Sequence, residues 1–121
     1  MEEGDITYCL PTIEAGHEAM CRIIDGGFTA GAACCGCDLI AIGAIKAIQD
    51  RGLSVPHDIA VTGYDDIDLA DYLSVPLTTI RQPKAELGRE GVRLLLEQIS
   101  KPGREPRQII LPSTLIVRNS A

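Results

Sequence analysis

Short uninterrupted apolar runs alternate with segments whose apolar residues recur every three or four positions. That alternation constrains the fold more than any other feature of the chain. Ile13 to Asp25 reads as a helix, because Ile13, His17, Met20, Cys21 and Ile24 recur on one face. Thr12 is a plausible N-cap and Gly26-Gly27 a stop. Ala30 to Cys35 is small and apolar throughout and reads as a buried strand. Asp38 is expected to cap a second helix reaching about Asp50, with Gly52 ending it. Ile59 to Thr62 is a second buried strand, which runs into Gly63. Asp68 to Leu73 suits a short helix and Leu77 to Ile80 a third strand. Pro83 opens a long helix, Lys84 to Ser100, with Leu87, Leu94, Leu95 and Ile99 as its apolar stripe. Gly88 and Gly91 offer that helix a flat patch for a close-packed backbone. A charged Pro/Gly loop, Lys101 to Arg107, leads to closing strands at Ile109–Leu111 and Leu115–Val117, broken by Pro112. Strands alternating with helices imply right-handed crossovers, hence an α/β fold with a mostly parallel sheet flanked by helices.

Composition agrees. Of 121 residues 45% are hydrophobic, with one Phe and no Trp, so the core must be aliphatic, which favours layered packing. The net charge of −6, with no basic run, argues that this stretch does not itself hold nucleic acid. Five cysteines include Cys34-Cys35-Gly36-Cys37, whose spacing suits disulfides poorly and favours a reducing compartment. Cys34 and Cys35 read as small buried hydrophobes, whereas Cys37 falls at a strand end. His17 and His57 are isolated, so no metal site is expected and both read as structural. The start, Met1 to Asp5, is acidic where a signal peptide would be basic, and the apolar stretch Leu39 to Ile45 is too short to cross a membrane. A cytoplasmic protein without membrane contact is the expectation. Gly26 to Gly31 follows a helix and precedes a strand, the reverse of a dinucleotide fingerprint. No nucleophile elbow or phosphate loop occurs, so neither a catalytic set nor a cofactor is expected.

Ligands of open α/β sheets bind beyond the carboxyl ends of the strands. Two loops fall there, Gly36-Cys37-Asp38 and Gly63-Tyr64-Asp65-Asp66. A carboxylate at that place can accept two hydrogen bonds from adjacent hydroxyls, which suits a sugar or another polyol. Asp65, first at the strand end, is the candidate for the ligand, and Asp66 for a local cap. The alternative is an enzyme holding Mg²⁺ on Asp65, Asp66 and Asp68, but no accompanying Ser/Thr and Lys set is evident.

Six phrases then accumulate in order. They are Asp38 to Ala44, Gly52 to Val61, Gly63 to Asp66, Pro76 to Pro83, Glu86 to Arg89 and Leu115 to Ser120. Together, from about Thr12 to Ala121, they resemble the C-terminal half of the lactose/galactose repressor family of bacterial transcription regulators. The resemblance implies a periplasmic-binding-protein-like core of two lobes closing on an effector, a separate N-terminal helix-turn-helix that reads operator DNA, and a homodimer. It implies that residues 1–80 form the C-terminal subdomain. Residues 81–111 would be a crossover helix and strand that normally pack in the N-terminal subdomain, and 112–121 a returning segment. This chain would thus be one lobe plus an orphaned helix, whose stripe is expected to pack unusually, on another copy of the chain.

Carried over, Asp65 matches the family's effector-binding carboxylate, with Tyr64 beside it. Cys37 matches a position that is usually Asn. A thiol cannot both donate and accept as an amide does, so this departure implies a changed contact or a different ligand. Asp38 matches the next position, read as a helix cap. Gln82 matches a position near the crossover between lobes and is a further contact candidate. Ile42, Lys46, Leu69 and Tyr72 fall where the dimer face is expected. The function implied is the effector-sensing and dimerisation part of a repressor with a sugar-type effector, DNA being held through a domain absent from this chain. A solute-binding protein of a sugar transporter shares the fold and is the alternative.

Overall fold

The computed structural model describes residues 6–27, 31–103, 105 and 107–121. The acidic start Met1–Asp5, Ala30 of the expected first strand, and Arg104 and Pro106 of the charged loop lie outside the described residues. The elements in order are α1 (Ile13–Asp25), β1 (Ala32–Cys34), α2 (Asp38–Asp50), β2 (Ala60–Thr62), a 3-10 turn η1 (Asp68–Asp71), β3 (Thr79–Arg81), α3 (Lys84–Ser100) and β4 (Thr114–Ile116). The chain divides into two compact units, residues 1–81 with 115–121 and residues 82–114.

In the first unit β1 and β2 run parallel in the register Ala32↔Ala60, Ala33↔Val61 and Cys34↔Thr62. A further parallel bridge joins Thr62 to Thr78. β3 and β4 form a second two-stranded sheet. The expected α/β fold with parallel pairing is therefore present. Its core is aliphatic: Met20, Ala41, Ala44, Ile45, Ile48, Val55, Ile59, Val61, Ala70 and Leu77 make one buried cluster.

The helix signals act locally and the structure follows them. The Thr12 hydroxyl accepts the Ala15 N–H at 3.1 Å, opening α1. The Gly26 and Gly27 amides close it on the Arg22 and Ile24 carbonyls, with Gly27 at φ +80°. α1 and α2 pack through glycine. A Cβ on Gly16 would stand 2.8 Å from the Ile40 Cα, and one on Gly43 2.6 Å from the His17 backbone nitrogen.

Three expectations need correction. β1 is not buried: Ala32 and Cys34 are exposed, because among the described residues β1 is paired on one flank only and borders an open groove of about 580 Å³ beside α1. Cys34 is therefore not a buried hydrophobe. Ile109–Leu111 forms no strand; β4 begins only at Thr114, past the donor-free Pro112. Cys37, not Asp38, stands at the N-cap of α2, and its thiol makes no cap bond.

The second unit is built on α3, which has the expected bounds. Arg93 pairs with Glu90 at 2.6 Å and with Glu97 at 2.5 Å, one turn to either side. No residue of α3 is buried, and Leu87, Val92, Leu95, Leu96 and Ile99 lie exposed. No neighbouring atom lies within 4 Å of a Cβ built on Gly88 or Gly91, so their flat patch receives no other backbone. Of the apolar stripe read from the spacing, Leu87, Leu95 and Ile99 are exposed and Leu94 is half-buried.

Candidate functional site

β1 and β2 are parallel neighbours, so the loops after them emerge at one edge of the sheet. The first loop carries Cys37 and the second Tyr64, Asp65 and Asp66. A direct bond joins the two: the Asp38 N–H donates to the Tyr64 carbonyl at 2.9 Å. The structure thus brings together three of the four ligand candidates. Gln82 belongs to the other unit, where its carbonyl accepts the Lys84 N–H at 2.9 Å.

Asp38 organises this edge. It is fully buried in the first turn of α2. One carboxyl oxygen accepts the Ile67 N–H at 2.9 Å and the other the Thr79 hydroxyl at 2.5 Å. It therefore clasps the loop after β2 and the start of β3 from the head of α2. Gly63 is required here for room. A Cβ there would overlap the Asp38 carboxyl and stand 2.9 Å from Leu77 Cδ2.

Asp65 is half-buried, and its N–H donates to the Ile80 carbonyl at 2.9 Å. Its φ is +122° and that of Asp66 is +49°. Non-glycine residues rarely adopt such values, and they persist where surroundings hold them. Here the holder is an arginine clamp. Asp66 accepts from Arg81 Nε at 2.5 Å and from Arg118 Nη2 at 2.9 Å. Arg118 also reaches Asp71 at 3.0 Å and the Leu77 carbonyl at 2.8 Å. Asp66 is therefore not a local cap, and this engagement removes it from the three-carboxylate magnesium alternative. Among the described residues no group of three His, Cys, Asp or Glu is placed to hold a metal ion.

The segment after β4 completes the edge. Ser120 is fully buried; its hydroxyl donates to the Val61 carbonyl at 2.6 Å and accepts the Thr78 N–H at 2.8 Å. The C-terminal residues thus stitch β2 to Thr78 and carry Arg118 to Asp66.

Burial pushes the Asp66 carboxyl upward, but hydrogen bonds from Arg81 and Arg118 outweigh it and hold the group below the usual carboxylate range. A carboxyl depressed in the folded state stabilises fully above its unfolded value of about 3.9. That contribution is lost as pH falls through the lower folded value. Asp66→Asn should therefore flatten the acid limb of stability against pH. Urea midpoints measured from pH 6 down to pH 2 test this, and an unchanged limb would reject the clamp as an energetic feature.

The groove beside β1 is lined by residues such as Tyr8, Met20, Ile23, Ala33, Cys35 and Ile40, and none of its lining residues is a carboxylate.

Residues 7–121 match the sequence profile described as the periplasmic binding protein-like domain. The chain belongs to that family. Within the family it is similar to repressors of the lactose repressor type. The ribose operon repressor of Haemophilus influenzae is 52% identical over 87 residues, which are 72% of this chain and 26% of that protein. A LacI family regulator from Enterococcus faecium, solved with bound ribose, superposes with a TM-score of 0.76 at 32% identity, over 90% of this chain and 40% of that one. The lac repressor dimer bound to operator and an anti-inducer superposes with a TM-score of 0.82 at 33% identity, over 90% of this chain and 38% of that one. The curated relatives are named as transcriptional repressors, and the chain spans about a quarter to a third of their length. No helix among the described residues is long and apolar enough to cross a membrane.

Four positioning residues of this family member escaped the sequence reading: Arg81, Thr79, Arg118 and Ser120. Each lies inside a phrase that carried the resemblance, yet nothing in the local pattern tells an arginine that clamps a carboxylate from a solvated one. The residues expected at a dimer face are mostly exposed. Tyr72 and Leu69 are 84% and 45% exposed, Lys46 is exposed and paired with Asp50, and Ile42 is half-buried.

Proposed function

We propose that this chain is the effector-sensing part of a ligand-responsive transcription repressor and that its effector is a sugar, not a substrate to be turned over. In this reading Asp65 is the anchoring carboxylate, Tyr64 and Cys37 form the adjoining wall, and Gln82 is a further contact candidate that the family resemblance alone supplies. Residues 1–80 are the C-terminal subdomain, 81–111 the crossover and 112–121 the return. DNA is held by a domain outside this chain, the protein works in the cytoplasm as a homodimer, and Ile42, Lys46, Leu69 and Tyr72 contribute to the face between copies. The observation that carries the reading is the bond between the two strand-end loops, which sets Cys37 beside the Asp65 turn. The names of the relatives support a sugar: a ribose operon repressor is 52% identical, and neighbouring structures hold ribose and cellobiose.

Effector binding shifts an equilibrium between two arrangements of the lobes and so changes operator affinity by linkage. Losing a hydrogen bond to a charged group costs about 1.5–3 kcal/mol, or about 10- to 100-fold in affinity. In the whole regulator, Asp65→Asn should raise the ribose concentration needed to shift operator binding by about tenfold or more. Operator-binding titrations measure this directly. A wild-type response to ribose that survives the substitution unaltered would show that Asp65 is not the anchor.

A further inference from the structure

A second cluster of reactive side chains lies away from the strand-end loops, where the ends of α1 and α2 meet. Cys21 and His17 are one turn apart on α1, and Asp50 and Arg51 close α2. His17 Nε2 lies 3.1 Å from Asp50 Oδ2, while His17 Nδ1 lies 3.6 Å from the Cys21 sulfur. With Nε2–H donating to Asp50, Nδ1 is left as the acceptor for the thiol proton. Arg51 grips Asp25 with two nitrogens, at 2.8 and 2.6 Å, and turns its third, Nη1, onto the Cys21 sulfur at 2.7 Å. The guanidinium thus stands against the sulfur, where a cation can stabilise negative charge that develops as the thiol gives up its proton.

We propose that Cys21 is a modification site that exchanges with small-molecule disulfides, His17 taking its proton and Arg51 stabilising the charge that develops on sulfur. The arrangement has a nucleophile, a base within reach and a carboxylate that orients the base. Asp50 is kept anionic by its hydrogen bonds from Lys46 and His17. Cys21 and His17 are both partly exposed, so a small reagent can arrive. In the step, the Cys21 sulfur attacks one sulfur of the disulfide and the S–S bond breaks. A mixed disulfide forms on Cys21, and the departing thiolate is reduced and takes up the proton held by His17. The other cysteines lack this setting. Cys35 in particular is pushed up to about 12 by burial.

The test uses the reduced 121-residue chain with bis(2-hydroxyethyl) disulfide, an uncharged probe, followed by acid quenching and peptide mapping by mass spectrometry. Cys21 should react roughly tenfold faster than the same cysteine in a peptide of residues 13–25. Arg51→Gln and His17→Asn should each slow Cys21 by at least about threefold while leaving exposed Cys34 unchanged. The charged groups facing that imidazole and thiol are Asp50, Lys46, Arg51 and Asp25. A rise in labelling at half-buried Cys35 would report opening of the unit. In that case Asp50→Asn, which leaves the Arg51–Asp25 pair in place, decides by the same criterion. Cys21 reacting no faster than the peptide, or equally fast in every variant, would overturn the proposal.

Discussion

Asp38→Ala will lower the unfolding free energy of the chain by about 2–5 kcal/mol, among the largest effects of any side-chain truncation outside the aliphatic core. The Asp38 side chain is fully buried, and its two oxygens accept from the part-buried Ile67 N–H and from the hydroxyl of fully buried Thr79. Truncation leaves the Ile67 N–H and the Thr79 hydroxyl without that acceptor, at about 1–3 kcal/mol each, and opens a cavity beside Gly63. Asp38→Asn keeps the volume and one acceptor but turns an N–H₂ toward a donor, so it should fall between wild type and alanine. Urea unfolding followed by far-UV circular dichroism measures both, with the slope m expected to stay constant. A loss below about 1 kcal/mol in Asp38→Ala would mean that the clasp is not energetically important. The same substitution bears on ligand response, because the Tyr64–Ile67 loop that carries Asp65 is fixed on one side by this carboxyl.

Asp38 also marks the limit of what the sequence made legible. Its place at the head of a helix was readable from the strand-to-polar transition before it, and α2 has the expected bounds. Its work was not. The groups it bonds lie 29 and 41 positions further along the chain, and Asp66 meets Arg118 across 52. An aspartate at a helix start caps locally unless something distant offers a better donor, and sequence spacing carries no trace of that competition. Where signals are local, the reading held. Thr12 and Gly26 bound α1, Pro83 precedes α3, and the three-four spacing of α1 and α3 is borne out as helix. Local apolarity failed twice. Among the described residues Ala32 to Cys34 forms a strand paired on one flank only, and Ile109–Leu111 has strand-like composition but no ladder. Both failures have one cause. Burial and pairing need a neighbour, and a run of apolar residues does not say whether one exists.

Gly43→Ala should destabilise the chain by about 2–3 kcal/mol, while Gly88→Ala should leave it unchanged or raise helix stability by up to about 1 kcal/mol. Both glycines lie inside helices, where alanine is intrinsically the better residue, so propensity alone predicts a gain at each. Surroundings decide the sign. At Gly43 the added methyl would overlap the Ile13 carbonyl oxygen and stand 2.6 Å from the His17 nitrogen and 3.0 Å from the Gly16 carbonyl carbon. All three are backbone atoms of α1, which cannot swing away as a side chain could. The helices must separate along their whole contact, and the buried row Met20, Ala44, Ile45 and Ile48 loses packing with them. At Gly88 nothing lies within 4 Å of the new methyl. Paired urea or thermal unfolding of the two variants is a clean comparison, since the chemistry is identical and only the neighbours differ. Equal effects at the two sites would show that α1 and α2 do not meet through glycine. Opposite signs would establish that the scaffold positioning His17, Asp50 and the Asp38 clasp depends on a backbone-to-backbone approach that no other residue at position 43 permits.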